Sequence, residues 1–360
     1  MNTERGQIRL VRAAMVLIWI AVVLVVFFVA RLDVFAQKRS ITVLAWSATF
    51  DSSFVKKFEQ ETGIKVYMNF YTTNEELLVK LRAAQGKEYD LIVPSDYAIT
   101  KLRAEGLLKK IDKSKLVFMD HLNPLLMGLP FDPANDYALP FEWGVFCVGF
   151  DTRKIKIEEV KSSWDLVFTR FQGRDGYRIV MSNDPLESIA LAAQYLWGPV
   201  ASITEAQVLE IKALLKQQRA WVEAYANVRG DYLLGTGSVD AALMNSAEIL
   251  RALYAFKQID FLVPENAIIS IEHCALPAGC TKDELVYEFL NFFYSKEFFI
   301  HHYNEMFMFP ARIDVVDFVD ASDRVKELMR SSPSAFRGYS FIRDLLPEQQ
   351  RFDLWVSVKS

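Results

Sequence analysis

The chain has 360 residues, 41 basic and 45 acidic side chains, and 52% hydrophobic residues, enough for one large domain or two ordinary ones with a full core. A net charge of −4 lacks the basic surplus that nucleic-acid binding needs. Three cysteines (Cys147, Cys274, Cys280) without a CxxC pair give a thiolate metal site no support, and a Cys274–Cys280 bridge across a short loop stays open.

Residues 13–30 are eighteen consecutive apolar positions preceded by Arg5, Arg9 and Arg12. That length spans a bilayer with little tilt and exceeds the apolar core of an ordinary cleaved signal. The basic flank predicts a cytoplasmic N-terminus, with everything after Arg31 outside. Val34-Phe35-Ala36 offers a peptidase site, so residues 1–36 read as a signal anchor or a signal peptide. No cysteine lies in the first 40 residues, which argues against a lipid-anchored start. Without residues 1–36 the body carries 37 basic and 43 acidic groups, a net charge of −6 that suits a cationic ligand only weakly.

Downstream, the apolar run Ile41–Trp46 predicts a strand. Asp51 caps a helix lined by Phe54, Val55 and Phe58 and stopped at Gly63. IKVYMNF is a second strand, followed by a helix entered through Asn74 and ended at Gly86. DLIVP is a third strand and empties into Ser95, Asp96 and Tyr97. Strands alternating with helices imply a parallel sheet, and such sheets bind ligands beyond their carboxyl ends. Trp46, Ser47, Ser95 and Tyr97 fall at such ends.

Gly106 and the basic LLKKIDKSK stretch read as a helix end and a surface loop. DYALPFEWGVFCVGF gives two short apolar runs, with Pro140 confined to an edge or a break. SSWDLVF predicts a capped helix start, YRIVMSNDP a strand running into a loop, and Leu186–Leu196 a helix. Thr204 with Gln207 forms a capping box for a helix reaching about Tyr225. VDAALMN and Ile269–Pro277 are further strands, and Glu284–Tyr294 is an apolar helix. Two α/β regions, each with a strand-end crevice, predict a clamshell.

The stretches LAWS (44–47), FEQETGIKV (58–66), TTNEELLVKL (72–81), YDLIVPSDY (89–97) and FDPANDYALPFEWG (131–144) carry a resemblance. So do NDPLES (183–188) and ALPA (275–278). Together they resemble the periplasmic spermidine/putrescine-binding proteins, the substrate-binding components of polyamine ABC transporters. The resemblance implies a two-lobed periplasmic-binding-protein clamshell of type II-like, mixed-sheet α/β fold behind an N-terminal hydrophobic helix. Residues 37–145 with about 266–321 would form one lobe, and 146–265 with about 322–360 the other. It also implies a polyamine ligand, no cofactor, and as partners a permease with its cytoplasmic ATPase.

Carried over by position, Trp46 and Tyr97 match family aromatics that pack on the ligand's methylenes, and Ser47 matches a hydroxyl beside that Trp. Asp184 and Glu187 match an acid-x-x-acid turn that takes an amine, and Glu272 stands where the family has an amine-binding aspartate. The departures lie at Ala48 and Thr49, where an acid and an aromatic are expected, and at Asn245 and Ser270, which align with tryptophans. Asp96 stands where the family usually has a neutral residue and is offered as a replacement carboxylate. Ser95 completes the ligand-binding set.

The pattern is chemically coherent. Each desolvated ammonium needs an ionic hydrogen-bond partner, and flat aromatic faces attract cations while covering methylenes. Trp143 is a further candidate wall. Asp184 with Glu187 equally reads as a helix cap, and Trp46 and Tyr97 equally as core. No GxSxG elbow or phosphate-binding glycine loop is present, and His301-His302 lie on different helix faces, so catalytic and metal sites are not expected. The alternatives to transport are a membrane-anchored sensor on the same clamshell, or a receptor for another small cation or polar solute.

Overall fold

The computed structural model describes residues 14–26, 39–47, 49–226, 229–330 and 339–360. Residues 14–26 form an exposed helix. No helix among the described residues is long and apolar enough to cross a membrane. The rest of the predicted span and the Val34-Phe35-Ala36 site lie outside the described residues.

Eleven strands follow: β1 (Ser40–Trp46), β2 (Lys65–Tyr71), β3 (Leu91–Ile92), β4 (Leu139–Asp151), β5 (Ile179–Met181) and β6 (Val222–Tyr225), then β7 (Ala241–Asn245), β8 (Ile259–Leu262), β9 (Ile268–Cys274), β10 (Phe309–Pro310) and β11 (Ser340–Phe341). The first three make a parallel sheet of order β2-β1-β3. The other eight make a mixed sheet of order β11-β9-β4-β7-β5-β6, with β10 and β8 also paired to β4. The expected α/β class with mixed sheets is thus observed.

Alternation along β1 explains how both faces of the parallel sheet are covered. Ile41, Val43 and Ala45 enter a core with Phe54 and Phe58, while Leu44 enters a second core with Tyr71, Leu77 and Leu81. The flanking helices start where their caps predict. Asp51 accepts from the amides of Ser53 and Phe54 above the helix Ser52–Thr62, which Gly63 ends with φ at 70°. Thr73, rather than Asn74, caps the helix Asn74–Ala84.

Three local readings are corrected. DYALPFEWGVFCVGF is one buried strand of thirteen residues at the centre of its sheet, and Pro140 is accommodated where the β4–β9 register shifts between Pro140 and Glu142. The capping-box helix ends at Gln218, and residues 222–225 are strand β6 beside β5. SSWDLVF gives only a short helix, Asp165–Phe168, without a side-chain cap. The cysteines are all free and buried.

The long strand β4 organises what the site needs. It pairs with β9 from Leu139 to Val145 and with β7 from Phe146 to Phe150. β9 in turn carries Glu272 to the end of β3, where Ser95 bridges to it. The carboxyl ends of β1, β3, β5 and β7 therefore deliver Trp46, Ser95, Asp184 and Asn245.

Candidate functional site: a carboxyl-lined cleft

Glu272 is the hub of one end. Its carboxyl accepts from the Trp46 indole N–H at 2.7 Å and from Ser95 Oγ at 2.7 and 2.9 Å. Ser95 is itself held by Asn74, whose amide donates to Ser95 Oγ at 3.0 Å and accepts from its backbone N–H at 3.2 Å. The Trp46 ring leans on Tyr71 with centroids 4.5 Å apart, which leaves its outer part exposed. Burial pushes the Glu272 carboxyl up to about 8, with the Glu142 charge adding to the rise and the Ser95 and Trp46 hydrogen bonds opposing it. A cavity of about 310 Å³ opens here, lined by Trp46, Ser47, Glu142, Asn245, Glu248 and Glu272 among others.

The other end is a crowd of acids. Asp184 caps the helix Pro185–Trp197 by accepting from the Leu186 and Glu187 amides at 2.7 and 3.4 Å. Burial raises its carboxyl above the usual range, and Glu75 adds to this while Arg351 opposes it. Glu187 accepts from Ser182 Oγ and is pushed up to about 7 by burial and by Asp184. Glu248, one turn into the helix Ser246–Ala255, rises to about 8 through burial and the charges of Glu187 and Asp231. Tyr97 joins this end: its hydroxyl donates to Glu75 at 3.1 Å, and Arg351 reaches the same carboxyl at 3.0 Å.

Local sequence explains the placements. The Asp-Pro step sets Asp184 at the cap and proline at the first helical position, so Glu187 falls in the first turn. Asn245 likewise caps its helix through Ala247 N–H at 3.1 Å and donates to Ser270 Oγ at 2.9 Å. The amide and hydroxyl therefore join into one polar patch. Gly144 opposite makes room for it, since a Cβ there would meet Asn245 Oδ1 at 2.3 Å.

Of the residues read from sequence, Trp46, Ser47, Asn245 and Glu272 share the cavity, while Ser95 stands behind Glu272 as a donor. Asp184, Glu187 and Tyr97 gather at the acidic end. Asp96 does not line this cavity, although its charge reaches Glu272 and adds to the rise of that carboxyl. It is buried at the start of the helix Asp96–Ala104 and, together with Tyr97, Thr100, Tyr137 and Phe341, lines a larger groove of about 700 Å³. Trp143 is no wall: it is fully buried against Phe309. His302 pairs with Glu142 in the core, and no group of three or more His, Cys, Asp or Glu among the described residues could hold a metal ion.

Sequence reasoning missed Glu75, Glu248 and Arg351. Glu248 lies three residues after Asn245, one helical turn on, and that spacing was the available signal. Arg351 is 276 positions from Glu75, and nothing local announces their pairing.

The profile of a family described as bacterial extracellular solute-binding protein matches residues 53–329. The chain is 31% identical over 253 residues to the spermidine/putrescine-binding periplasmic protein of Escherichia coli K12, covering 69% of this chain and 70% of that one. It is 27% identical over 352 residues to the putrescine-binding periplasmic protein SpuD of Pseudomonas aeruginosa UCBPP-PA14, covering 90% and 93% of the two chains. Among solved structures, the spermidine/putrescine ABC transporter substrate-binding protein PotD of Streptococcus pneumoniae superposes with a TM-score of 0.73 at 18% identity, over 89% of this chain and 98% of that one.

Proposed function

This chain belongs to the bacterial extracellular solute-binding proteins, and from that premise we propose that it captures a diamine or polyamine and delivers it to an ABC permease. Its family is one of transport receptors, not enzymes, and its place of work is the periplasm. The observation that carries the amine reading is the run of neighbouring carboxyls from Asp184 through Glu187 to Glu248, which shares its cavity with Glu272.

Such a run suits a string of ammonium groups. Each ammonium leaving water needs a charge-assisted hydrogen bond, worth about 1.5–3 kcal/mol. Trp46 and Tyr97 would cover the methylenes, each cation–π contact adding roughly 0.5–2 kcal/mol. Ser95 and Ser47 would orient Glu272 and the ligand beside it.

Residues 37–145 with about 266–321, and 146–265 with about 322–360, are the two lobes in this reading. The switch of β4 from β9 to β7 between Val145 and Phe146 supports a hinge at that step, about which the lobes close on the ligand. Residues 13–30 would tether the receptor near its permease, a role that rests on the eighteen consecutive apolar positions of the sequence. Carbonate extraction of cell membranes tests the tether: release of the intact chain into the soluble fraction excludes it.

The decisive experiment on the ligand is calorimetric titration of the chain, unfolded and refolded to strip carried-over ligand. Putrescine, cadaverine, spermidine and spermine are the probes. Submicromolar binding of one of them is expected. Absence of binding by all four would refute an unmodified diamine or polyamine as the ligand and leave the fold untouched.

A further inference from the structure

The 310 Å³ cavity is lined not only by acids but also by Arg229 and Arg251. Most of its charges already have partners. Glu142 is paired with His302, Glu272 is held by Trp46 and Ser95, and Arg251 meets Asp231 at 3.0 Å. Two charges are left over, one of each sign. Neither the Glu248 side chain nor that of Arg229, which is exposed, makes a hydrogen bond or ion pair with a described residue. We infer that the ligand of this cavity carries a carboxylate as well as an amine, and that Arg229 receives the carboxylate while the acids receive the amine.

This inference rests on the amine-receptor reading and narrows it. A bare diammonium chain offers no acceptor to a guanidinium. Closing the cleft over one would bury Arg229 unpaired beside like charge, which is among the costliest arrangements in a protein interior. A carboxylate removes that cost, because it matches the planar fork of the guanidinium with two parallel hydrogen bonds. The wall agrees with a polar ligand. Where an aromatic box would cover methylenes, Asn245 and Ser270 present a joined amide and hydroxyl. Arg229 also sits at φ 68°, a left-handed conformation that a non-glycine residue adopts only under strain. An amine chain capped by a carboxylate, such as a diamine acylated on one nitrogen by a dicarboxylic acid, has the required pair of ends.

The test is titration of the refolded full chain with putrescine, N-acetylputrescine and N-succinylputrescine, in the parent and in Arg229→Asn. Asparagine tolerates the left-handed region, so the variant removes charge without adding strain. The succinyl compound should bind at least tenfold tighter than the acetyl one, and Arg229→Asn should erase that difference. Equal affinity for the two acyl compounds would overturn the inference, and binding of putrescine in the same series would leave the amine receptor standing. If no amine of any kind binds, both readings fall. The comparison between ligands in the parent protein decides the matter even should the variant fail to fold.

Discussion

The two ends of the cleft hold carboxyls in opposite ways. At the Trp46 end, Glu272 is surrounded by donors that belong to the protein: an indole N–H, a serine hydroxyl, and behind the hydroxyl the Asn74 amide. At the Asp184 end, one carboxyl oxygen is satisfied by two helix-terminal amides and Glu187 by the Ser182 hydroxyl. The acids Glu75, Glu187 and, beyond Glu187, Glu248 crowd together there with Arg351, held by Glu75, as a partial counter-charge. Donors can stabilise a carboxyl whether or not a ligand is present. A crowd of like charges cannot, and is relieved only by protonation or by a cation. The first end is therefore a fixed anchor, and the second is the end where ligand binding changes most.

The sharpest way to break this contrast is Asp184→Asn. Asparagine caps helices as well as aspartate, so the helix Pro185–Trp197 keeps its start while the cleft loses one charge. Amine affinity should fall about 10- to 100-fold, or roughly 1.4–2.7 kcal/mol, with no loss of melting temperature. Unchanged affinity with unchanged stability would mean that Asp184 is a cap and nothing more.

A second consequence is proton release. Glu187 near 7 and Glu248 and Glu272 near 8 are substantially protonated in the empty cleft at neutral pH. An arriving ammonium favours their charged forms and lowers those values, so binding expels protons and strengthens as pH rises from about 6 to 9. The gain is at most about tenfold per pH unit for each proton released. Titrations in buffers of different ionisation enthalpy read the number directly, and pH-independent affinity would show that the carboxyls are already ionised before the ligand arrives.

How far the sequence announced these ends follows from the range of the interactions. Trp46, Ser95 and Tyr97 were legible because a parallel strand fixes which residues emerge at its carboxyl end, and Asp184-Pro185-x-Glu187 because caps are local. Glu75 and Arg351 were not, since their meeting depends on helices 276 positions apart in the chain. Strand β6 was absorbed into the preceding helix because Trp221 and Val222 continue its apolar pattern, and only pairing with β5 makes Val222–Tyr225 extended. Pro140 misled for a related reason: a bulge lets a central strand hold a proline that the local rule sends to an edge. Asp96 and Tyr97 follow β3 at the start of their helix and share the larger groove, and nothing local in the sequence distinguishes that groove from the smaller cavity beside Glu272.

The anchor end should respond more gently than the acidic one. Glu272→Gln keeps an oxygen that can accept from Trp46 and Ser95, so the local framework survives and only the charge is lost. Affinity should drop about three- to tenfold, roughly 0.7–1.4 kcal/mol. Should Glu272→Gln cost more than Asp184→Asn in the same titration, the assignment of anchor and responsive ends would have to be reversed.

Asp96 isolates what burial does to a carboxyl that has neither a donor shell nor a crowd. One oxygen accepts from the Tyr97 amide at 2.8 Å, the other is buried without a partner, and desolvation lifts the group to about 8. Because the folded value lies above the unfolded one, the folded state holds its proton where the unfolded chain has released it. Stability is therefore lost progressively between about pH 4 and pH 8, and not on acidification as for a salt-bridged aspartate. Asp96→Asn removes the titration but leaves a buried amide that also lacks a full set of partners, so the net gain at pH 8 is about 1 kcal/mol, shrinking to nothing near pH 4. Urea unfolding of parent and variant at the two pH values measures the difference. A variant less stable than the parent at pH 8 would mean that the ionised carboxylate has a cation beside it in the groove lined by Asp96 and Tyr137.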